Sequence, residues 1–148
     1  MLKNLISKIN LSKNLNLRVV KNIIKNDNTN YDHLLKRNMK NLNNKYEKTL
    51  VYRNEKYELF IINWGPYSCS KIHDHANEGC VMKVIQGNLT EYIYNTNLDL
   101  KTFENYSVND TTYINNSMGY HKIENNNSYG ATSIHIYSPP KYKTRYFN

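Results

Sequence analysis

From Tyr46 to Pro140 the chain is a succession of short segments that alternate in polarity with period two, each closed by turn residues. Tyr46, Lys48, Leu50 and Tyr52 alternate with Glu47, Thr49, Val51 and Arg53; Asn54-Glu55-Lys56 makes a turn, and Tyr57 to Trp64 runs back to a stop at Gly65-Pro66. Successive side chains on a strand point to opposite faces, so this alternation describes strands and not helices. Further strands are predicted at Cys80–Ile85, Leu89–Tyr94, Lys101–Phe103, Thr112–Ile114, around Ile123 and at Thr132–Tyr137, with Gln86-Gly87-Asn88 as one of the stops. Many short strands at regular spacing fit an antiparallel β-barrel or jelly roll, which manages its sheet edges by closure or by packing two sheets together.

The residues before Asn44 follow a different period. Leu2, Leu5, Ile6 and Ile9 fall at helical spacing, as do Leu17, Val20, Ile23 and Ile24. Helices are predicted over 2–10 and about 15–26, and a third, capped by Asn30 or Asp32, carries Leu34, Leu35, Met39 and Leu42, with His33 solvated in its first turn. The expected fold is therefore mainly β, in one domain over residues 1–148: a helical segment to about residue 44, then the barrel from about 45 to 140. A chain of 148 residues can bury a real core. Hydrophobic content is a modest 39%, and 14 tyrosines, which favour strands, supply much of the missing apolar area.

The formal charge of +8 is spread over scattered Lys and Arg residues, with no dense basic run interleaved with aromatics. That argues against a nucleic-acid partner and for attraction of small anions. Cys69 and Cys80 form neither a CxxC pair nor a disulfide framework, as in a protein of a reducing, cytoplasmic compartment. No apolar run approaches the ~20 residues of a membrane span. Residues 1–26 lack acidic groups and carry Lys3, Lys8, Lys13, Arg18, Lys21 and Lys25, a pattern shared by transit peptides. Transit peptides are richer in Arg and Ser, so a docked amphipathic helix is the preferred reading.

Ile72-His73-Asp74-His75 is where chemistry enters. Period two on a strand places both imidazoles on one face, close enough to share a divalent transition metal. His121, in Gly119-Tyr120-His121, is the natural third imidazole. In Ser133-Ile134-His135-Ile136-Tyr137 the polar groups share one parity and can face a pocket while the isoleucines pack on the other side. Three neutral imidazoles suit Zn²⁺ with a bound water, or Fe(II) with open positions for a chelating substrate and O₂.

His73-Asp74-His75, the spacing from Cys80 to Gly87, and Gly119 to Asn125 with His121 resemble the two cupin motifs. Most cupins have a Glu ligand where Cys80 stands. A Cys there, with Trp64-Gly65, Gly87-Asn88-Leu89 and Glu91, Tyr113-Ile114-Asn115 and the Ser133–Pro140 pattern, resembles the cysteine dioxygenase family from about Tyr46 to Pro140. The resemblance implies Fe(II) held by His73, His75 and His121, with L-cysteine and O₂ as substrates and a sulfinate as product, a step of cysteine catabolism and taurine biosynthesis. It implies a thioether between Cys80 and Tyr137, with His135 and Ser133 orienting the phenol. A small thiol and O₂ are the expected partners of a monomer.

The departure lies at the substrate anchor. The family grips the substrate carboxylate with an Arg two residues after a Tyr, and here Tyr46 is followed by Lys48. Lysine offers a point charge without the planar fork of arginine. Arg53 has the opposite parity and would need a register shift or bulge to reach inward. The short stretch after Pro140 leads to an expectation of less cover over the pocket. Alternatives are the same reaction on 3-mercaptopropionate or cysteamine, a non-enzymatic metal-binding cupin, or a zinc hydrolase or isomerase. Cys80 argues against the mercaptopropionate branch, whose members usually have Gly there, and Lys48 favours a carboxylate-bearing thiol over cysteamine.

Overall fold

The computed structural model describes residues 2–12, 16–35 and 39–148. Lys13, the first residue of the helix predicted over 15–26, and the middle of the predicted third helix lie outside them. Helices α1 (Leu2–Asn10) and α2 (Leu17–Lys25) form as expected. Asn16 caps α2 by accepting from the Arg18 N–H at 2.8 Å. Among the described residues of the expected third helix there are two single 3₁₀ turns, Asp32–Leu34 and Lys40–Leu42.

Ten strands follow: β1 (Tyr46–Arg53), β2 (Glu58–Trp64), β3 (Ile72–His73), β4 (Gly79–Gln86), β5 (Leu89–Tyr94), β6 (Leu100–Tyr106), β7 (Thr111–Ile114), β8 (Tyr120–Glu124), β9 (Ala131–Ser138) and β10 (Tyr146–Phe147). They make two five-stranded sheets of order β1-β2-β9-β4-β7 and β10-β3-β8-β5-β6. Every pairing is antiparallel, as the jelly-roll expectation requires. β10 is an element the periodicity did not define, and β3 is shorter than the strand expected to carry both His73 and His75.

The central strands of the first sheet, β2, β9 and β4, are buried on both faces, and parity sorts their side chains. Leu59, Val81, Ile85, Ile134 and Ile136 join Leu5, Ile9, Leu17, Val20 and Ile24 of the helices in one core. Ile62, Trp64, Met82, Val84 and Ala131 point the other way and meet Leu89 and Ile123 of the second sheet. Nine-residue helices are marginal alone, so α1 and α2 owe their stability to this docking, at ~1.5–3 kcal/mol for each aliphatic side chain fully buried. Lys83, on the helix side of β4, is 1% exposed. Its Nζ donates to the carbonyls of Ile24 and Asp27 at 3.0 Å each, tying the end of α2 to the sheet. Asp27 accepts from Lys8 Nζ at 2.7 Å and Tyr31 Oη at 2.6 Å, which joins α1 to the same point.

Two glycines make the backbone approaches the site depends on. Gly79 (φ +103°) opens β4 just before Cys80, and a Cβ there would stand 2.2 Å from the Ile114 carbonyl oxygen. Gly119 (φ +135°) precedes Tyr120 and His121, and a Cβ would stand 2.2 Å from the Tyr94 carbonyl oxygen. Both need the left-handed freedom that glycine alone has cheaply.

Candidate metal centre and adjoining pocket

β3 ends at His73, so the strand periodicity that predicted the histidine pair covers only its first member. His75 comes from the loop after β3, and Asn116 fixes that loop: its Oδ1 accepts from the His75 N–H at 2.8 Å, and its Nδ2 donates to the His75 carbonyl at 2.9 Å. His121 lies opposite His73 in the β3–β8 pairing. The three imidazoles converge, with one nitrogen of each lying within 4.8 Å of the others. Ring centroids are 4.5 Å apart for His73–His121 and 4.3 Å for His75–His121.

Hydrogen bonds fix which nitrogen each ring presents. His73 Nδ1–H donates to the Lys71 carbonyl at 2.8 Å, and His121 Nδ1–H to Glu91 Oε1 at 2.6 Å. Both leave Nε2 as a lone pair, and those two Nε2 atoms face each other at 3.0 Å. Neither nitrogen of His75 has a hydrogen-bond partner among the described residues, although both are buried. A buried, unpartnered imidazole beside two converging lone pairs fits a metal ion, which would satisfy all three donors at once. Burial lowers the pKa of all three rings, taking His75 down to about 2, and so keeps them in the neutral form that ligates. Glu91, 1% exposed, is held in turn by Thr112 Oγ1 at 3.0 Å. The resembling pattern contains Glu91, but its role as the partner of His121 emerges only here; such outer partners set tautomer and basicity.

Beside the histidines a small pocket encloses about 400 Å³ of empty space, its open mouth included. The cavity proper, about 30 Å³, is far below the ~300–1,000 Å³ typical of ligand sites, so the side chains close tightly around it. Tyr46, Lys48, His135 and Tyr137 line it with His73 and His121. Tyr46 pairs with Trp64 and Lys48 with Ile62, so β1 turns both toward the interior. Lys48 Nζ lies 4.1 Å from the centroid of the Phe60 ring and 4.3 Å from that of Tyr137, a cation held between two aromatic faces. Lys48 as a whole residue is exposed, yet desolvation at its packed end lowers its pKa, against the pull of Cys80 and Glu58.

A hydrogen-bonded chain leads to the Tyr137 phenol. Trp64 Nε1–H, which can only donate, reaches Ser133 Oγ at 2.9 Å. The Ser133 hydroxyl then gives its proton to His135 Nε2 at 2.8 Å. That leaves the proton on His135 Nδ1, which lies 3.3 Å from Tyr137 Oη and 3.7 Å from Cys80 Sγ. The phenol accepts from His135, and the Cys80 thiol also lies within hydrogen-bonding reach of it. Burial holds Tyr137 well above the usual phenol pKa and pushes the Cys80 thiol up to about 12, so both are protonated. Cys80 is directly opposite Tyr137 across β4 and β9.

Two expectations are corrected. The bulge that Arg53 needed is present: Leu50 pairs with Phe60 and Tyr52 with Leu59, so one residue is skipped and parity switches. Arg53 is nonetheless bound to Glu58, with Nε at 2.9 Å and Nη2 at 2.8 Å from Oε2, and lines a surface groove with Pro140 and Lys141 instead of the pocket. The stretch after Pro140 is not absent cover. Thr144 and Tyr146 line the pocket, and β10 pairs with β3. Cys69 is exposed. A wider groove of about 620 Å³ between α1 and the β1–β2 turn is lined by groups that satisfy one another, with Asn10 Oδ1 accepting from both Asn54 and Tyr57. No helix among the described residues is long and apolar enough to cross a membrane.

Residues 2–148 match the family model described as cysteine dioxygenase type I. The cysteine dioxygenase type 1 of Homo sapiens is 39% identical over 104 residues, covering 65% of this chain and 52% of the human protein. The chain thus spans about half the length of the curated relatives it matches. Among solved structures, a Klebsiella pneumoniae protein with a double-stranded β-helix domain superposes with a TM-score of 0.62 at 12% identity, covering 81% of this chain and 96% of that one. A cupin superfamily protein of Desulfitobacterium hafniense gives 0.56 at 8% identity, covering 72% and 84%. At such identities these structures speak for the fold, a cupin, and for nothing further.

Proposed function

This chain belongs to the cysteine dioxygenase type I family, and we propose that it is an iron(II)-dependent dioxygenase that converts the thiol of L-cysteine to a sulfinate. The observation that carries the reading is one small pocket, lined by Lys48, Tyr137, His73 and His121, that adjoins a three-imidazole cluster completed by the unpartnered His75. His73, His75 and His121 would hold the metal. Ferrous iron bound there would supply a centre that takes both a soft thiolate and O₂, so that both oxygen atoms can end on sulfur. The ligand set is neutral and leaves charge room for an anionic substrate, and the adjoining Cys80 and Tyr137 pair, which a hydrolytic zinc site would not need, favours iron.

The chain's own residues bind and orient. Lys48 Nζ, braced by Phe60 and Tyr137, attracts the substrate carboxylate, and Tyr46 on the same face of β1 supports that contact. The Tyr137 O–H, directed by the Trp64–Ser133–His135 relay, donates a hydrogen bond into the space where the thiol and oxygen react. Fixing both reactants in one small pocket supplies the proximity the reaction needs. The opposed Cys80 and Tyr137 are the pair for a thioether: a carbon–sulfur bond forms, the thiol and one ring position each lose a hydrogen, and O₂ accepts the electrons. Such a link would fix the phenol over the metal site.

The test is to load the purified protein with Fe(II), supply cysteine, and follow O₂ uptake and sulfinate formation by mass spectrometry. Uptake matched by sulfinate is expected. Bound iron with no uptake on any small thiol would sink the reading. 3-Mercaptopropionate, run alongside, decides whether the Lys48 anchor selects the amino acid or any short carboxylate-bearing thiol.

A further inference from the structure

One wall of the pocket is built from a segment that cannot hold itself in place. Thr144 and Tyr146 line the pocket, but β10 has two residues and two pairings, Tyr146 with His73 and Phe147 with Ile72. So short an edge strand has little stability of its own. The anchor is Asp74. Its side chain is 0% exposed, and its carboxylate accepts from Arg145 N at 2.8 Å, Arg145 Nε at 2.5 Å and Tyr142 Oη at 2.8 Å. The Asp74 N–H donates back to the Arg145 carbonyl at 3.1 Å.

Asp74 sits between two of the clustered histidines, so the metal-site loop and the pocket wall share one buried carboxylate. The wall also touches the histidines or their chain neighbours: the Tyr146 ring lies 5.9 Å from that of His73, and Phe147 stacks on Tyr120 at 4.5 Å, one residue before His121. We propose that Asp74 latches the segment Tyr142–Phe147 as a strap across the pocket, and that Tyr146 on this strap limits the size of the thiol admitted. Arg145 is itself exposed, but the Asp74 carboxylate is buried and, stripped of its partners, would be an uncompensated charge, which opposes release of the strap. The choice of a thiol as ligand rests on the proposed function; the latch rests on its hydrogen bonds.

The test separates the two. Trypsin can cut after Lys141 and Lys143. Arg145→Ala changes an exposed side chain and should speed cleavage at these sites roughly tenfold, the effect of losing a charge-assisted hydrogen bond. Asp74→Asn, which keeps the shape of the side chain, should do the same. Unchanged cleavage in both variants overturns the latch. Tyr146→Ala keeps the latch, and should raise the affinity of the Fe(II)-loaded protein for homocysteine relative to cysteine in equilibrium dialysis. An unchanged affinity ratio overturns the size limit. If the wild-type protein binds no small thiol, the size limit and the proposed function fall together, while the cleavage rates still decide the latch.

Discussion

Cys80 and Tyr137 are directly opposed residues of β4 and β9, and the pairs on either side, Gly79–Ser138 and Val81–Ile136, leave their register no slack. Opposed residues of an antiparallel pair have Cβ atoms about 4.5–5.5 Å apart, a span that a cysteine sulfur and a tyrosine ring bridge together. Protein matured with iron and O₂ should therefore contain a fraction lighter by the thiol hydrogen and one ring hydrogen, running as a faster band on a denaturing gel. Cys80→Ser should abolish that band, and its persistence would discard the cross-link.

Metal content should follow the imidazoles and their support. His75→Ala, which removes the unpartnered ring, should leave the protein unable to retain iron in a dialysis assay. Glu91→Gln keeps a hydrogen-bond acceptor for His121 but loses the charge, and should weaken iron binding roughly 10–100-fold. Because a ligand bound to the folded state stabilises it by mass action, chelator treatment of the wild type should lower Tm, and the same treatment of His75→Ala should not.

The anchor makes a prediction with a direction. Lys48→Arg should lower KM for cysteine, since the guanidinium can meet both carboxylate oxygens. Lys48→Met should raise KM, roughly tenfold or more, with kcat less affected. An unchanged KM in both variants would mean that the substrate is not held by its carboxylate.

Acid should loosen the docking of the helices through Asp27. Burial alone would raise the Asp27 carboxyl, but hydrogen bonds from Lys8, Tyr31 and Thr29 outweigh it and bring the pKa from 3.8 to about 2. A carboxyl whose folded pKa is depressed contributes stability above its unfolded pKa and loses it as pH falls through the folded one. The window therefore runs from about pH 4 down to about pH 2, and the contribution is at most about 2 kcal/mol, since Lys8 is half-exposed and screened. Asp27→Asn should flatten the loss of urea stability across that window. A mutant with the same acid slope as the wild type would remove Asp27 from the account.

The long strands were legible because alternation is a local property: Leu89–Tyr94 has the bounds its pattern sets, and the split of Ile134 and Ile136 from His135 and Tyr137 follows parity alone. What depends on pairing between distant segments was not legible. β3 and β10 exist only through their partners. The placement of His75 depends on Asn116, 41 residues away, which no motif marks. The bulge before Arg53 and its capture by Glu58 across the hairpin both follow from a register that local alternation does not carry. Glu91 carried a weak signal, an acid within an otherwise apolar or hydroxylic strand, and its meaning required β8 beside β5.

β9 carries two messages interleaved in one text. Read at one set of positions, Ile134 and Ile136 specify where the helices dock; read at the other, Ser133, His135 and Tyr137 specify the reacting side of the barrel. Inserting or deleting a single residue would exchange the two readings and ruin both. Such a strand can drift letter by letter, but its frame is locked, and substitutions made to tune the helix contact leave the chemistry's spelling intact.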